Sequence, residues 1–388
     1  MPIPVPEDLN RELERFEAFI AESIRPRIVG WYRSGTLPAD FFRELSDEGW
    51  LGIHWEGTRL RMDECLRRCL LMERLAAVSP GAAVAVLAHV DLGFAGLCFY
   101  GTPRLQAIYG PSAVAGDLVL CLGNTEGRAG SDVAGIGMTA RREGGAWRLT
   151  GAKAYVTNGT QAGAAVVTAV TDPDAERGRR LSMFFVDLNA PGVTRRKLNK
   201  QVWIPSDLTR ITLDNVRVPE DHLLGKPGSG LQQVLNIFTH SRVPISALTL
   251  GTARGAFDLA LDRCEKRRIF GRPITDFQAK AFEIAVHHAR IEAARLMMLN
   301  AARTADSGEA FRMEASMAKL LAVDAARGVA EWAADLYGAA SVIFDHPIHK
   351  YPMDAWAAAI GEGTQDIQKL VIFRELMARR RRVESPGS

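Results

Sequence analysis

The stretch AWRLTGAKAYVTNGT, residues 146–160, decides the fold of this chain. Its β-branched and aromatic residues alternate with polar or small ones, and the pair Asn158-Gly159 near its end is a turn signal. Three further short segments of this kind follow, namely GAAVVTAVTD (163–172), LSMFFVDL (181–188) and TRITLDNVRVP (209–219). The alternation therefore predicts a small all-β domain, which we place at residues 118–224.

Helical periodicity lies on both sides of this β segment. Residues 1–117 contain two runs with apolar residues at i, i+3, i+4 spacing and predict an N-terminal helical domain. The period returns in residues 225–388, where four such segments predict an antiparallel four-helix bundle. No G-x-G-x-x-G follows a predicted strand and no G-x-x-x-x-G-K-S/T occurs, so a cofactor would have to lie between domains.

Composition narrows the class of protein. The 388 residues are 47% hydrophobic with a net charge of +3, which predicts a globular chain and gives no basis for binding nucleic acid or an anionic membrane. The most apolar stretch, residues 81–101, carries His89 and Asp91 at its middle, which favours a pair of buried helices over a membrane span. The acidic, amphipathic start indicates no signal peptide, and five scattered cysteines predict reduced thiols in a cytoplasmic protein. The histidines form no set with metal-ligand spacing, so we expect no metal site.

A carboxylate lies between two glycines in AAIGEGTQDIQKLVIFREL, residues 358–376. One interpretation is a helix start, with Thr364 as the N-cap and Glu362 in solvent. The other is a catalytic base in a tight turn, where the glycines let a ligand approach the carboxylate. The spacing alone leaves both interpretations open.

Five motifs together carry a family likeness. They are NTEGRAGSD (124–132), GAKAYVTNG (151–159), RVPEDHLLGKPGSG (217–230), RRIFGRPITDFQ (267–278) and EGTQDIQKLVIFREL (362–376). Each is weak alone, but their order and separations resemble those of acyl-CoA dehydrogenases over almost the whole chain. The resemblance implies an N-terminal helical domain, a middle β-barrel and a C-terminal four-helix bundle. It also implies FAD-dependent removal of two hydrogens from the α and β carbons of an acyl thioester.

The resemblance assigns the catalytic residues. Glu362 stands at the family's base position, where it would take the α-proton while the β-hydrogen leaves as hydride to flavin N5. Some relatives carry the base just before the arginine that is Arg242 here, but this chain has Ser241 there. Arg242 would either steer the Glu362 carboxylate or form an ordinary buried salt bridge with it. Gly361, Ser131 and Ser241 would line the substrate pocket.

The resemblance also assigns the cofactor site and the partners. Arg267, Phe270 and Gln278 would reach the FAD of a neighbouring subunit, which implies a homo-oligomer, usually a tetramer. An acyl-CoA or acyl carrier protein thioester would be the substrate, and an electron-transferring flavoprotein is the family's usual electron acceptor. The full set of implied FAD contacts is Thr125, Gly130, Ser131, Tyr155, Thr157, Arg267, Phe270, Gln278, Gly338, Thr364 and Asp366.

Departures from the family pattern suggest a specialised substrate. Gly361 replaces a tyrosine beside the base and is expected to open space next to the substrate's α-carbon. Asn124 replaces a valine and is expected to place a polar group near the flavin edge. The substrate could then be branched, polar or hydroxylated, and carried on CoA or a carrier protein. The run Arg379–Arg382 would be a solvated tail or would meet an acidic carrier protein.

Two other functions remain open on the same fold. One is a flavin-dependent oxidase or monooxygenase, although relatives of that kind usually lack the glutamate. The other is a non-catalytic family member that serves only in assembly.

Overall fold

The computed structural model describes residues 5–384 of the chain, with side chains through residue 381. Its first region is mainly helical, as the periodicity predicts. A π turn (Ile20–Ile24) and a short 3₁₀ turn (Arg25–Arg27) join the first two helices. The elements of this region are α1 (Glu7–Phe19), α2 (Ile28–Ser34), α3 (Phe41–Asp47), β1 (Ile53–Trp55), β2 (Leu60–Met62), α4 (Cys65–Val78), α5 (Pro80–Leu87), α6 (Ala95–Tyr100) and α7 (Pro103–Val114).

The β1–β2 hairpin was not predicted. It covers residues 53–62, which include the segment HWEGTRLRM (54–62), with Ile53 opposite Met62 and Trp55 opposite Leu60. Each strand has only three residues, which is too short for an alternating pattern to show in the sequence.

The most apolar stretch forms one continuous helix instead of the expected pair. It runs from Pro80 to Tyr100 through a π segment at Ala88–Phe94 and is long and apolar enough to cross a membrane, but 83% of its apolar window is buried inside the protein. A Cβ at Gly93 would lie 2.7 Å from the backbone of Leu120, so this glycine lets the helix pack directly on the sheet. The helix therefore belongs to the core.

The middle region is a sheet. Its strands are β3 (Leu120–Gly123), β4 (Thr139–Glu143), β5 (Ala146–Thr157), β6 (Ala164–Val170), β7 (Leu181–Asp187), β8 (Val193–Lys197), β9 (Leu208–Pro219) and β10 (Leu223–Leu224). In the described part of the chain these eight strands pair in the order β10-β7-β6-β4-β5-β9-β8, with β3 parallel to β6. The stretch AWRLTGAKAYVTNGT contains β5, which pairs with β4 on one side and β9 on the other.

The last region is a helical bundle. Its elements are α8 (Gly230–Lys266), β11 (Arg268–Ile269), β12 (Arg272–Pro273), α9 (Gln278–Asp306), α10 (Arg312–Tyr337), α11 (Lys350–Ala358) and α12 (Gln365–Glu384). The long helix α10 packs on α8, α9 and α12, which gives the predicted four-helix arrangement. The short helix α11 ends directly before the glycine-flanked turn, so that turn lies where α8, α10 and α12 meet.

Candidate active site

The turn between α11 and α12 holds Glu362 in an uncommon backbone conformation. Glu362 has φ +57° and Gly363 has φ +90°, both in the left-handed region that side chains disfavour. The Thr364 hydroxyl accepts the Ile367 N–H at 3.4 Å, so Thr364 caps α12. The Glu362 carboxylate does not point into solvent, because Oε2 accepts the Ser241 hydroxyl of α8 at 2.6 Å. The helix-start interpretation therefore holds for Thr364 and fails for Glu362.

Side chains from two helices hold the carbonyls of this turn. Lys319 of α10 is fully buried, and its Nζ donates to the carbonyl oxygens of both Gly361 and Gly363. Gln368 Nε2 donates to the carbonyls of Glu362 at 3.3 Å and Gly363 at 3.0 Å. A strained residue of this kind costs about 1–3 kcal/mol and persists only when its surroundings fix it. These four hydrogen bonds supply that constraint.

Sequence reasoning missed Lys319, although the sequence carries a signal for it. The lysine stands on the apolar face of an alanine-rich helix, in line with Ala315, Ala322 and Ala326. A lysine is almost never fully buried unless it is paired, so its place on that face points to acceptors inside the protein. The identity of the acceptors, 42 and 44 residues further along the chain, was not readable from the sequence.

The electrostatics of the site act on Glu362 in two directions. Burial raises the pKa of Glu362, while the Ser241 hydrogen bond and the charges of Lys319 and Arg242 lower it in part. Burial also lowers the pKa of Arg242 to about 10, so this guanidinium stays charged at neutral pH. Arg242 forms no hydrogen bond to Glu362, and its Nε and Nη1 have no partner among the described residues. It therefore acts on the carboxylate through its charge and not through the salt bridge considered from the sequence.

The space beside Gly361 is filled by an aromatic ring from the middle region. A Cβ built on Gly361 would lie 3.5 Å from Cη2 and 3.7 Å from Cζ3 of Trp203. These are ordinary van der Waals distances, so the edge of the indole lies directly against the glycine. The expected opening next to the Glu362 carboxylate is therefore occupied by Trp203.

The loop after β3 and the end of β5 bring several predicted cofactor residues together. The Ala154 N–H donates to the Thr125 carbonyl at 2.8 Å, which ties the loop to β5. Tyr155 lies in a β-bulge between Lys153 and Val156, has φ +57° and leaves 64% of its surface exposed. A bulge turns a side chain away from its sheet face, and the Tyr155 side chain is exposed here, one residue after the contact between Ala154 and Thr125.

The rest of this loop is open on its outer side. Gly130 and Ser131 are exposed, Thr157 is half-buried, and nothing lies within 4 Å of a Cβ built on Gly130. Asn124 does not face this surface: it is buried, and its side-chain oxygen accepts the Thr168 hydroxyl at 2.8 Å. The side-chain oxygen of Asn124 therefore has a partner within the sheet, and a position of this side chain near a flavin edge stays a prediction.

A buried ion pair fixes the loop from below. Lys153 Nζ lies 2.8 Å from Glu126 Oε1 and also donates to the Asn124 carbonyl at 3.1 Å. Glu126 accepts the N–H groups of Gly137 and Met138 as well. The loop carrying Thr125, Gly130 and Ser131 is thus held by charged hydrogen bonds, which gives a ligand a preformed surface.

The predicted residues for the neighbouring subunit's cofactor lie on the bundle. Arg267 and Gly338 line one cleft of about 550 Å³ between the end of α8 and the end of α10. Phe270 occupies the tip of the β11–β12 hairpin with φ +47° and 95% of its surface exposed. Gln278 is exposed at the start of α9. Asp366 is exposed in the first turn of α12, 3.1 Å from Lys369 Nζ.

These surfaces fit the cofactor that the resemblance implies. An arginine beside an open cleft suits phosphate oxygens, and exposed aromatic rings suit a flat ligand or a second chain. The carboxylate of Glu362 is fixed, partly buried and able to accept a proton. The arrangement thus offers one base, Glu362, and two open surfaces for a large group that is both anionic and aromatic. One surface is the loop after β3 with the end of β5, and the other is the cleft and hairpin on the bundle.

Comparison with known proteins leads to a family. Sequence models of the N-terminal, middle and C-terminal domains of acyl-CoA dehydrogenases match residues 6–117, 121–216 and 228–377. The probable acyl-CoA dehydrogenase YngJ of Bacillus subtilis is 30% identical over 366 residues, which cover 94% of this chain and 96% of that protein.

Two solved structures are similar over nearly their whole length. Butyryl-CoA dehydrogenase from Megasphaera elsdenii superposes with a TM-score of 0.91 at 26% identity, covering 97% of this chain and 100% of that one. A glutaryl-CoA dehydrogenase from Mycobacterium smegmatis in complex with FADH2 gives 0.90 at 26% identity, covering 96% and 95%. The chain therefore belongs to the acyl-CoA dehydrogenase family, whose members are FAD-dependent oxidoreductases acting on CH–CH groups.

Proposed function

We propose that the protein dehydrogenates an acyl thioester between its α and β carbons, with Glu362 as the base that takes the α-proton. The observation that carries this proposal is the turn itself. A partly buried carboxylate stands in a strained conformation that Lys319 and Gln368 fix and Ser241 orients. Proteins rarely keep such strain without a function for the residue.

The environment of Glu362 suits proton abstraction. An α-proton next to a thioester is weakly acidic, and a base works best when its pKa lies near the working pH. Burial raises the pKa of Glu362 towards the working pH. The Ser241 hydrogen bond and the charges of Lys319 and Arg242 lower it in part and so stabilise the carboxylate form. The Glu362 amide N–H has no acceptor among the described residues and would donate to the thioester oxygen as negative charge develops there.

FAD, when bound, would supply the acceptor for the β-hydride. Thr125, Gly130, Ser131, Tyr155 and Thr157 would hold its flavin part against the sheet. An electron-transferring flavoprotein is the proposed acceptor of the electrons in turn.

The acyl group is proposed to be a specialised one, carried on CoA or on an acyl carrier protein. The support is the construction of the site beside the base, where Gly361 stands at the position that the resemblance gives to a tyrosine and the Trp203 ring lies against it. A different residue from a different region forms that side of the site, so the fit to the acyl chain differs as well.

The decisive variant is Glu362→Gln, which keeps the size of the side chain and removes the base. We expect it to retain the yellow FAD absorbance and to lose flavin bleaching on anaerobic addition of substrate by about 10²–10⁴-fold in rate. Glu375→Gln on α12 is the matched control, since Glu375 pairs with Arg312 at 3.4 Å outside the turn. Bleaching of the Glu362 variant at the wild-type rate would end the assignment. Rapid reoxidation of the flavin by air with a hydroxylated product would instead indicate a monooxygenase.

The shared cofactor site is tested separately. We propose a homo-oligomer in which Arg267 binds the pyrophosphate of a neighbour's FAD, supported by its position on the open cleft with Gly338. Arg267→Ala should release FAD during gel filtration, whereas Arg268→Ala, the exposed next residue, should not. Equal FAD content in both variants would reject this role for Arg267.

A further inference from the structure

Trp203 lies at the point where all three regions of the chain meet. It belongs to the segment before β9, its ring lies against Gly361 in the bundle, and its carbonyl lies about 3 Å from where a Cβ on Gly81 of α5 would stand. The residue also has φ +48°, which is an outlier for a bulky side chain. Trp203 thus combines backbone strain with a position against Gly361, the residue before the proposed base Glu362, and this combination needs a physical explanation.

The backbone of Trp203 is held on both sides by polar groups. Its N–H donates to Oδ1 of Asp354, a buried carboxylate on α11 that also accepts the Tyr32 hydroxyl at 3.2 Å. Its carbonyl accepts from Lys200 Nζ and from the Ser206 hydroxyl, the latter at 2.9 Å. Burial raises the pKa of Asp354 to about 6 and lowers that of Lys200 to about 7. These hydrogen bonds thus hold the backbone of Trp203 in its left-handed conformation.

We propose that Trp203 determines the acyl specificity of the site: its indole closes the space beside Gly361, so that the enzyme takes thioesters unbranched at the α-carbon. This inference rests on Glu362 being the base, because only then does the α-carbon lie next to Gly361. An α-methyl group would have to share the volume that the indole edge occupies. One methyl group excluded from a packed site changes kcat/KM by about 10–200-fold.

Gly361 alone would lead to the opposite expectation about branched substrates. A glycine beside the base indicates room for a branched substrate, but that room is filled from the middle region. The pair Gly361 and Trp203 therefore works as a unit: a change at one should alter the activity or the selectivity in a way that a matching change at the other corrects.

The test compares isomeric substrates. Wild-type enzyme is assayed with butyryl-CoA against isobutyryl-CoA, and with hexanoyl-CoA against its α-methylpentanoyl isomer, by anaerobic flavin bleaching and by kcat/KM. We expect the unbranched isomer to be preferred in each pair. Trp203→Leu should raise the branched-to-unbranched ratio by about tenfold or more while FAD content stays unchanged. A wild-type preference for the branched isomers would overturn the proposal.

The second measurement uses a double variant that moves the aromatic ring from position 203 to position 361. In Trp203→Ala/Gly361→Tyr the aromatic ring returns from the other side, and the unbranched preference should return with it. Gly361→Tyr alone should lose activity on both isomers, because the new ring meets Trp203. Trp147→Leu is the matched control: it also removes a buried indole without a partner for Nε1, but in the sheet core against Phe184.

The outcomes separate this inference from the proposed function. If the Trp203 variants keep the wild-type isomer ratio while Glu362→Gln abolishes bleaching, Trp203 does not set specificity and the base assignment stands. If Glu362→Gln bleaches normally, the premise itself is wrong and both proposals fall.

Discussion

Glu362 and Phe270 both have a left-handed backbone, but hydrogen bonds surround Glu362, whereas Phe270 is exposed to solvent. The turn at Glu362 is fixed by Lys319 and Gln368, and its side chain is satisfied by Ser241. Phe270 stands at a hairpin tip with 95% of its surface exposed. The first conformation is constrained by the chain itself, whereas the second presents an apolar ring that this chain leaves uncovered.

The difference separates two parts of the site. The parts that would act on the substrate are complete within one chain, because the contacts to Glu362 all come from α8, α10 and α12. The parts that would hold the cofactor, including Tyr155 and Phe270, are exposed surfaces. Changes at Glu362 should therefore alter catalysis within a subunit, and changes at Phe270 should alter what the subunit binds.

Among changes that leave the Glu362 carboxylate in place, the largest effect is expected from Lys319→Met, which removes the donor to two turn carbonyls. Misplacement of a catalytic group by about 1 Å can cost about 10²-fold in rate, so we expect kcat to fall by about 10–100-fold with FAD content preserved. The charge of Lys319 also lowers the pKa of Glu362, so its loss should move the acidic limb of the pH–rate profile to higher pH. Lys350→Met is the control, a buried lysine that donates to the Pro347 carbonyl instead. A wild-type profile for Lys319→Met would show that the turn needs no such support.

A smaller effect concerns stability and pH. The pKa of Glu362 in the fold lies above its ordinary value of 4.5, so folding favours the protonated carboxyl. Its stabilising contribution is present below that value and is lost as pH rises through the folded pKa. Glu362→Gln should therefore unfold like wild type at low pH and become relatively more stable toward neutral pH, by about 1.4 kcal/mol for each unit of difference in pKa. Urea unfolding at several pH values measures this, and a constant difference at all pH values would contradict it.

The sequence predicts much of the fold because its signals are periodic. The alternation in β5 and the apolar spacing in α4 and α10 each extend over many residues, and the three regions follow from them. The hairpin β1–β2 escaped prediction because three residues carry almost no period. The helix Pro80–Tyr100 was divided in two because its glycines resemble breaks, whereas they are points of close packing: Gly93 lies against β3 and Gly96 against Val166 of β6.

The candidate site shows a different limit. The family resemblance assigns Glu362, Ser241 and Arg242 to one site, because each stands in or beside a position that the family's sequences define. Lys319 and Trp203 escaped, because their roles depend on contacts across 42 residues in one case and between two regions in the other. Nor does a sequence show on which side of a loop a polar group such as Asn124 finds its partner.

The smallest effect is expected from Phe270→Asn. Phe270 and Gly271, with φ +47° and +82°, form a two-residue hairpin loop of the kind that favours Asn-Gly. The substitution removes an exposed ring and relieves left-handed strain, so the free energy of unfolding of the apoprotein should stay within about 0.5 kcal/mol of wild type or rise slightly. FAD content after gel filtration should nevertheless fall, because the ring is proposed to contact a cofactor or chain outside its own subunit. A loss of more than about 1 kcal/mol in the apoprotein would mean that the ring supports its own chain, and the contrast with Glu362 would then no longer hold.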